Sequence, residues 1–196
     1  MPKLALFASG NGSNFQAIVD AVKKGQLDAE IPLLICDQKK AYVLERAAKA
    51  NIEAHTFTLK EYGNKQAFEE AIVSLCQRHH IDYIILAGYM RIIGKTLLDA
   101  YQGRIINIHP SLLPSFPGLH AIEQAFDKGV KITGITVHYV DEGVDSGPII
   151  AQAAVDIRED DTIESLTERM HETEHELYPK TIARILERKY VQKGDK

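Results

Sequence analysis

Apolar positions along the chain follow two periods. Strand-length runs or alternations at 4–8, 31–36, 55–57, 83–86 and 104–109 are separated by stretches in which apolar residues recur at helical spacing. The helical stretches begin after Asn14, with Phe15, Ile18, Val19 and Val22 on one face and Gly25 placed to end the helix, and continue over 42–50 and 64–80. The run Leu4, Ala5, Leu6, Phe7, Ala8 has no polar alternation, as expected of a strand covered on both faces. Strands alternating with helices at this pitch predict a doubly wound α/β fold with a mostly parallel sheet.

The second half reads differently. A short helix over 118–128 leads to a strand over 133–140, a loop over 141–148 and a further strand over 149–157, most simply an antiparallel addition to the sheet. Asp161 with Glu164 resembles a capping box opening a long C-terminal helix from 162 towards 190, with a bend expected near Pro179.

Length adds that 196 residues suit one domain, 1–196, with a nucleotide-binding half over about 1–100 and a catalytic half over about 101–196. Charged residues make up 26% and hydrophobic residues 45%, and there is no long apolar run, so no membrane span is expected. A net charge of -4 argues against nucleic acid as a partner, while leaving room for a local site for one small phosphate. The first strand begins by Lys3, so no signal peptide is expected, and Cys36 and Cys76 lie in apolar segments as buried thiols. A cytoplasmic protein is the expectation. His79 and His80, closing a helix, read as structural.

Chemistry concentrates at two places. Ser9, Gly10, Asn11, Gly12, Ser13 and Asn14 form a loop between strand and helix, where exposed N–H groups and the helix dipole suit an anion. Phe15 stands where a dinucleotide fingerprint has its third glycine, and no Gly-Lys-Ser/Thr follows, so a single phosphate monoester is the better ligand. The second place is the strand over 104–109. Asn107 and His109 share a face at its end, where Pro110, Pro114, Pro117 and Gly118 impose an ordered loop. His171, Glu172 and His175 match the three fixed letters of H-E-x-x-H, but no third ligand follows at recognisable spacing and acidic neighbours suggest a polar face; no metal is expected.

The string from Asn107 to Ala121, NIHPSLLPSFPGLHA, resembles the signature of the folate-dependent formyltransferases, and Asp145-Ser146-Gly147-Pro148 matches that family's Asp-x-Gly-Pro. The resemblance implies the Rossmann-like formyltransferase fold and 10-formyltetrahydrofolate as co-substrate. Within the family the tRNA-formylating group carries a further C-terminal domain and basic surface, and the deformylases an N-terminal regulatory domain. This chain's size, charge and early SGNGSN loop resemble instead the group that formylates glycinamide ribonucleotide.

Several roles follow from the resemblance alone. Gly12, Ser13 and Asn14 would hold the ribonucleotide phosphate, and the region of His171, Glu172, Thr173 and Glu174 the rest of that substrate. The folate would lie against Met90, Arg91, Ile92, Ile93 and Asn107, and against Val140, Asp141, Glu142, Gly143 and Val144, with Lys65 reaching its tail. Asn107 and a protonated His109 would meet the developing oxyanion, and Asp145 would accept a proton from the amine. A binding protein that kept the fold without the chemistry is the rival reading, against which the intact Asn107, His109 and Asp145 speak. The sequence leaves a homodimer open.

Overall fold

In the computed structural model, which describes residues 1–194, seven strands make one sheet. In chain order the elements are β1 (Lys3–Ala8), α1 (Ser13–Lys23), β2 (Glu30–Cys36), α2 (Val43–Lys49), β3 (Glu53–Thr56), α3 (Leu59–Tyr62) and α4 (Lys65–Arg78). There follow β4 (Tyr83–Leu86), α5 (Lys95–Ala100), β5 (Ile105–His109), α6 (Ala121–Lys128), β6 (Ile132–Tyr139), β7 (Ile149–Asp156) and α7 (Ile163–Gly194). The strand order is β3-β2-β1-β4-β5-β6-β7, parallel from β3 to β5 and antiparallel at β5–β6 and β6–β7.

Strand β1 shows why the sheet is covered twice. Leu4, Leu6 and Ala8 pack with Phe15, Ile18 and Val19 of α1 and with Leu166, Met170 and Ile182 of α7. Ala5 and Phe7, alternating with them, pack with Phe68, Ile72 and Leu75 of α4 and Leu97 of α5. Each fully buried large side chain of this kind contributes roughly 1.5–3 kcal/mol.

The chain leaves β1 towards one edge of the sheet and returns at β4 towards the other, so the carboxyl ends of β1 and β4 flank the point where the order reverses. The two loops that start there are tied together. Ser9 N donates to Gly88 O at 3.0 Å, and Met90 N donates to Ser9 Oγ at 2.8 Å.

Four local expectations change. Strand β3 starts at Glu53 rather than at 55, and the short helices α3 and α5 have too few turns to show a period. Helix α6 begins at Ala121, because Gly118 (φ 82) and His120 (φ 58) both adopt left-handed backbone before it. The box that opens α7 is formed by Thr162 and Ser165, one residue later than expected. Ser165 N donates to Thr162 Oγ1 at 3.1 Å and Thr162 N to Ser165 Oγ at 3.0 Å. Asp161 instead takes both ends of the Arg169 guanidinium, each at 2.6 Å, and Arg169 also donates to Asp156 O. That pairing holds the Asp161 carboxyl well below the usual carboxylate range. Beyond it α7 passes through Pro179 as one helix. No helix of the described residues is long and apolar enough to cross a membrane.

One bond locks α7 to the sheet behind the site. The β4–β5 ladder ends at Ile85↔Ile106, and the fully buried Tyr178 hydroxyl donates to Leu86 O at 2.8 Å, with Ile106 O at 3.1 Å as a second acceptor. Burial raises its phenol pKa well above the ordinary value, so the proton stays for this bond. Tyr178→Phe leaves those carbonyls without this donor and should lower unfolding free energy by about 1–3 kcal/mol. Urea unfolding of the two proteins measures it; coincident curves would mean that the hydroxyl adds nothing.

Candidate active site

The polar end of β5 is built by register. Asn107 pairs with His138 of β6, and His109 with Thr136. Asn107 Nδ2 lies 3.4 Å from His138 Nε2, while His138 Nδ1 lies 2.8 Å from Tyr139 O. A carbonyl only accepts, so His138 carries its proton on Nδ1 and its Nε2 is the acceptor for Asn107. One N–H of the Asn107 amide is thereby directed, leaving the other for a ligand.

His109 is buried and lies between two loops. Its Nε2 donates to Phe116 O at 2.9 Å, and its Nδ1 faces Asp145 Oδ2 at 3.5 Å. A proton on Nδ1 makes this contact an ion pair; a bare Nδ1 would set its lone pair against the carboxylate. Asp145 adopts left-handed backbone (φ 53), which brings its side chain inward to 13% exposure. Its Oδ2 accepts from Gly118 N at 2.8 Å, and its Oδ1 lies 3.9 Å from His138 Nε2. One carboxylate thus joins the loop after β6 to the loop after β5.

The proline loop has its own anchors. Thr136 Oγ1 donates to Ser111 O and accepts from Leu113 N, and Gln152 Nε2 donates to Leu113 O and Thr136 Oγ1. Phe116 (φ 50) turns its carbonyl to His109 in consequence. In this arrangement the Nε2 proton expected to reach an oxyanion already has an acceptor, so a ligand oxygen there competes with Phe116 O.

The glycine loop folds as an anion site requires. Gly12 is the N-cap of α1 in left-handed conformation (φ 79), with no side chain capping the helix. A Cβ at Gly12 would sit 2.5 Å from Val43 Cγ2, so only glycine fits. Of His171, Glu172, Thr173 and Glu174, only Glu174 reaches this loop, through Asn14 Nδ2 to Glu174 Oε2 at 3.1 Å. Thr173 spends its hydroxyl on Arg169 O, Glu172 is exposed, and the His171 and His175 rings stack at 6.3 Å. Among the described residues no group of three His, Cys, Asp or Glu could hold a metal ion. A cavity of about 680 Å³ between α1 and α7 is lined by Ser13, Arg46 and His175 among others, and not by Asn107 or His109.

The loop after β4 is divided. Met90 and Ile92 are exposed, as is Val144 in the loop after β6, whereas Ile93 is buried in the core with Tyr89. Arg91 Nε lies 3.1 Å from the buried Asp37 carboxylate, an ion pair without a hydrogen bond, and its guanidinium sits over the Phe68 ring with the side chain still 34% exposed. Lys65 starts α4 with its stem beside Gly94, at the far end of the same loop. Val140 packs against the core from the other side, and Asp141 Oδ1 accepts from Gly143 N and Ser146 Oγ, which shapes the loop. Glu142 adds to the raised pKa of Lys95, after the hydrogen bond and charge of Asp99.

A model of the formyl transferase family matches residues 2–182. The chain belongs to the formyl transferase family. It is 56% identical over 186 residues to a phosphoribosylglycinamide formyltransferase of Bacillus subtilis, covering 95% of each chain. A glycinamide ribonucleotide transformylase structure from Geobacillus kaustophilus superposes with TM-score 0.93 at 57% identity, covering 95% of this chain and 99% of that one. A Bacillus halodurans phosphoribosylglycinamide formyltransferase does so with TM-score 0.92 at 53% identity, covering 94% and 95%. In this formyl transferase the expected Asn107, His109 and Asp145 come together, and His138 joins them. Sequence reading passed over His138, although it sits two positions from Thr136 on the same face of a strand.

Glu174 gives the site a pH signature. Burial pushes its carboxyl up to about 7, against the lowering effect of Asn14. The folded state therefore holds this proton after the unfolded chain has lost it. The stabilising contribution is full below about pH 4.5, declines as pH rises, and is gone above about 7, a difference on the order of 3 kcal/mol. Glu174→Gln should flatten that part of the profile between pH 5 and pH 8, as read by urea midpoints; parallel profiles for the two proteins would contradict it.

Proposed function

We propose that the protein transfers the formyl group of 10-formyltetrahydrofolate to the amine of glycinamide ribonucleotide, giving formylglycinamide ribonucleotide and tetrahydrofolate in purine (IMP) biosynthesis. The observation that carries this reading is that a formyl transferase chain brings its glycine loop, Asn107, His109 and Asp145 to the carboxyl ends of strands in one sheet. The chain then works as one domain, with the ribonucleotide held by the first half and α7 and the folate by the loops after β4 and β6.

Each role has a physical basis. N–H groups at Gly12, Ser13 and Asn14 meet the phosphate at the start of α1, and Glu174 faces the sugar or glycinamide end. The exposed Met90, Ile92 and Val144 give the folate an apolar surface. The amine nitrogen attacks the formyl carbon, and the carbonyl oxygen gains charge as the tetrahedral centre forms. The free N–H of Asn107 and the Nε2 proton of His109 meet that oxygen, the latter in exchange for Phe116 O. Asp145 stabilises charge on His109 and, directly or through water, accepts the proton the amine loses; the folate nitrogen gains a proton as it leaves. The step as written uses no metal and no covalent enzyme intermediate.

The deciding assay mixes the purified chain with 10-formyltetrahydrofolate and glycinamide ribonucleotide and follows deformylated folate. Release should require the ribonucleotide; equal release without it would make the protein a hydrolase. Asn107→Ala should lower kcat by about 10²- to 10³-fold while both ligands still bind. Loss of ligand binding instead would assign Asn107 a structural task.

A further inference from the structure

The glycine loop is held from outside by a residue that no motif contains. Helix α2 packs against it through Val43, whose N–H donates to Gly10 O at 3.0 Å and whose side chain fills the space beside Gly12. One turn further, Arg46 grips Asn11 twice. Its Nε donates to the Asn11 carbonyl at 2.8 Å and a terminal nitrogen to Asn11 Oδ1 at 2.8 Å, while the other lies 3.5 Å from Gln16 Oε1. The guanidinium stacks on Tyr42, 4.9 Å from the ring centroid.

These hydrogen-bond partners are all uncharged, so none of them neutralises the positive charge. The Asn11 carbonyl belongs to the same peptide unit as Gly12 N–H, the first donor of the anion site. A cation on that oxygen polarises the peptide and strengthens the N–H on its other side. The fork also fixes the plane of the peptide, and the charge adds to the positive potential of the α1 N-terminus. Arg46 lines the same cavity as Ser13 and His175, and its charge is felt there: the His175 pKa is lowered by burial first, then by His171, then by Arg46.

We propose that Arg46 is a positioning and specificity residue for the phosphate of the ribonucleotide, acting through the Asn11–Gly12 peptide and through its charge. The inference rests on the reading of the glycine loop as the phosphate site. It assigns Arg46 part of the preference for a phosphorylated over a dephosphorylated substrate. A bare structural staple would behave otherwise, because loosening the loop and α2 would not single out the phosphate.

The test compares the wild type with Arg46→Gln and Arg46→Lys, measuring kcat, KM for each substrate and the inhibition constant of ribose 5-phosphate. In Arg46→Gln the ribonucleotide KM and the ribose 5-phosphate constant should rise together by about 10- to 100-fold, with folate KM and kcat changed by less than about twofold. Arg46→Lys should fall between, since it keeps the charge and loses the fork. An unchanged ribose 5-phosphate constant in folded Arg46→Gln, or equal rises in both KM values, overturns the proposal. Should Arg46→Gln not fold, Arg46→Lys decides: a raised constant with unchanged folate KM supports the proposal, and an unchanged constant overturns it. A wild type that formylates the ribonucleotide yet ignores ribose 5-phosphate overturns the phosphate site and this proposal together, leaving formyl transfer standing.

Discussion

The Asp145 carboxylate is the contact on which the site depends. Three groups from three elements converge on it: Gly118 N–H from the proline loop, His109 from β5 and His138 from β6. A carboxylate at 13% exposure must be matched by donors or positive charge. Gly118 N–H and His109 provide the match, which also closes the two loops over β5, while His138, with its proton on Nδ1, only lies alongside. The register sets this geometry: antiparallel β6 ends beside the start of β5, with Tyr139 opposite Ile106, and the loop over 141–148 folds back along β5 to bring Asp145 to His109.

The glycine loop lies across the reversal point, and α7 joins it to β5. Glu174 reaches Asn14 of that loop, and Tyr178, one turn on, holds the carbonyls of Leu86 and Ile106 immediately before Asn107. Two successive turns of one helix therefore touch both the glycine loop and the backbone leading to Asn107. From the other side, α2 fixes the loop with Val43 and Arg46. The expected ligand surfaces are carried by loops, and these are oriented both by helix and strand residues such as Val43, Arg46, Thr136 and Glu174 and by loop residues such as Ser9 and Asp145.

Most of the frame was legible because it follows from burial periodicity. The run at β1 and the strand at β4 have the bounds their apolar residues suggest, and the alternation at β5 placed Asn107 and His109 on one face. The Asp145 partnership came from a family resemblance, since no local pattern links residues so far apart in the chain. What escaped was set by contacts invisible to periodicity. Thr162 and Ser165 form the cap, while Asp161 binds Arg169 and the Ser165 hydroxyl. Ile93 turns into the core and Arg91 towards Asp37, although both lie in a loop expected to face the folate. The Phe116 carbonyl on His109 depends on backbone angles, and His138 and Arg46 matter only through partners distant in sequence.

The central claim is that the charge of Asp145, and not only its hydrogen bond to Gly118, makes the His109 site work. Asp145→Asn keeps the size and can still accept from Gly118 N, but it removes the charge facing His109 and the capacity to accept a proton. Single-turnover formyl transfer with both substrates bound tests this directly. The account predicts a transfer rate lowered by about 10²- to 10⁴-fold with binding of a folate analogue retained. A variant that binds the analogue and transfers the formyl group at the wild-type rate would contradict it.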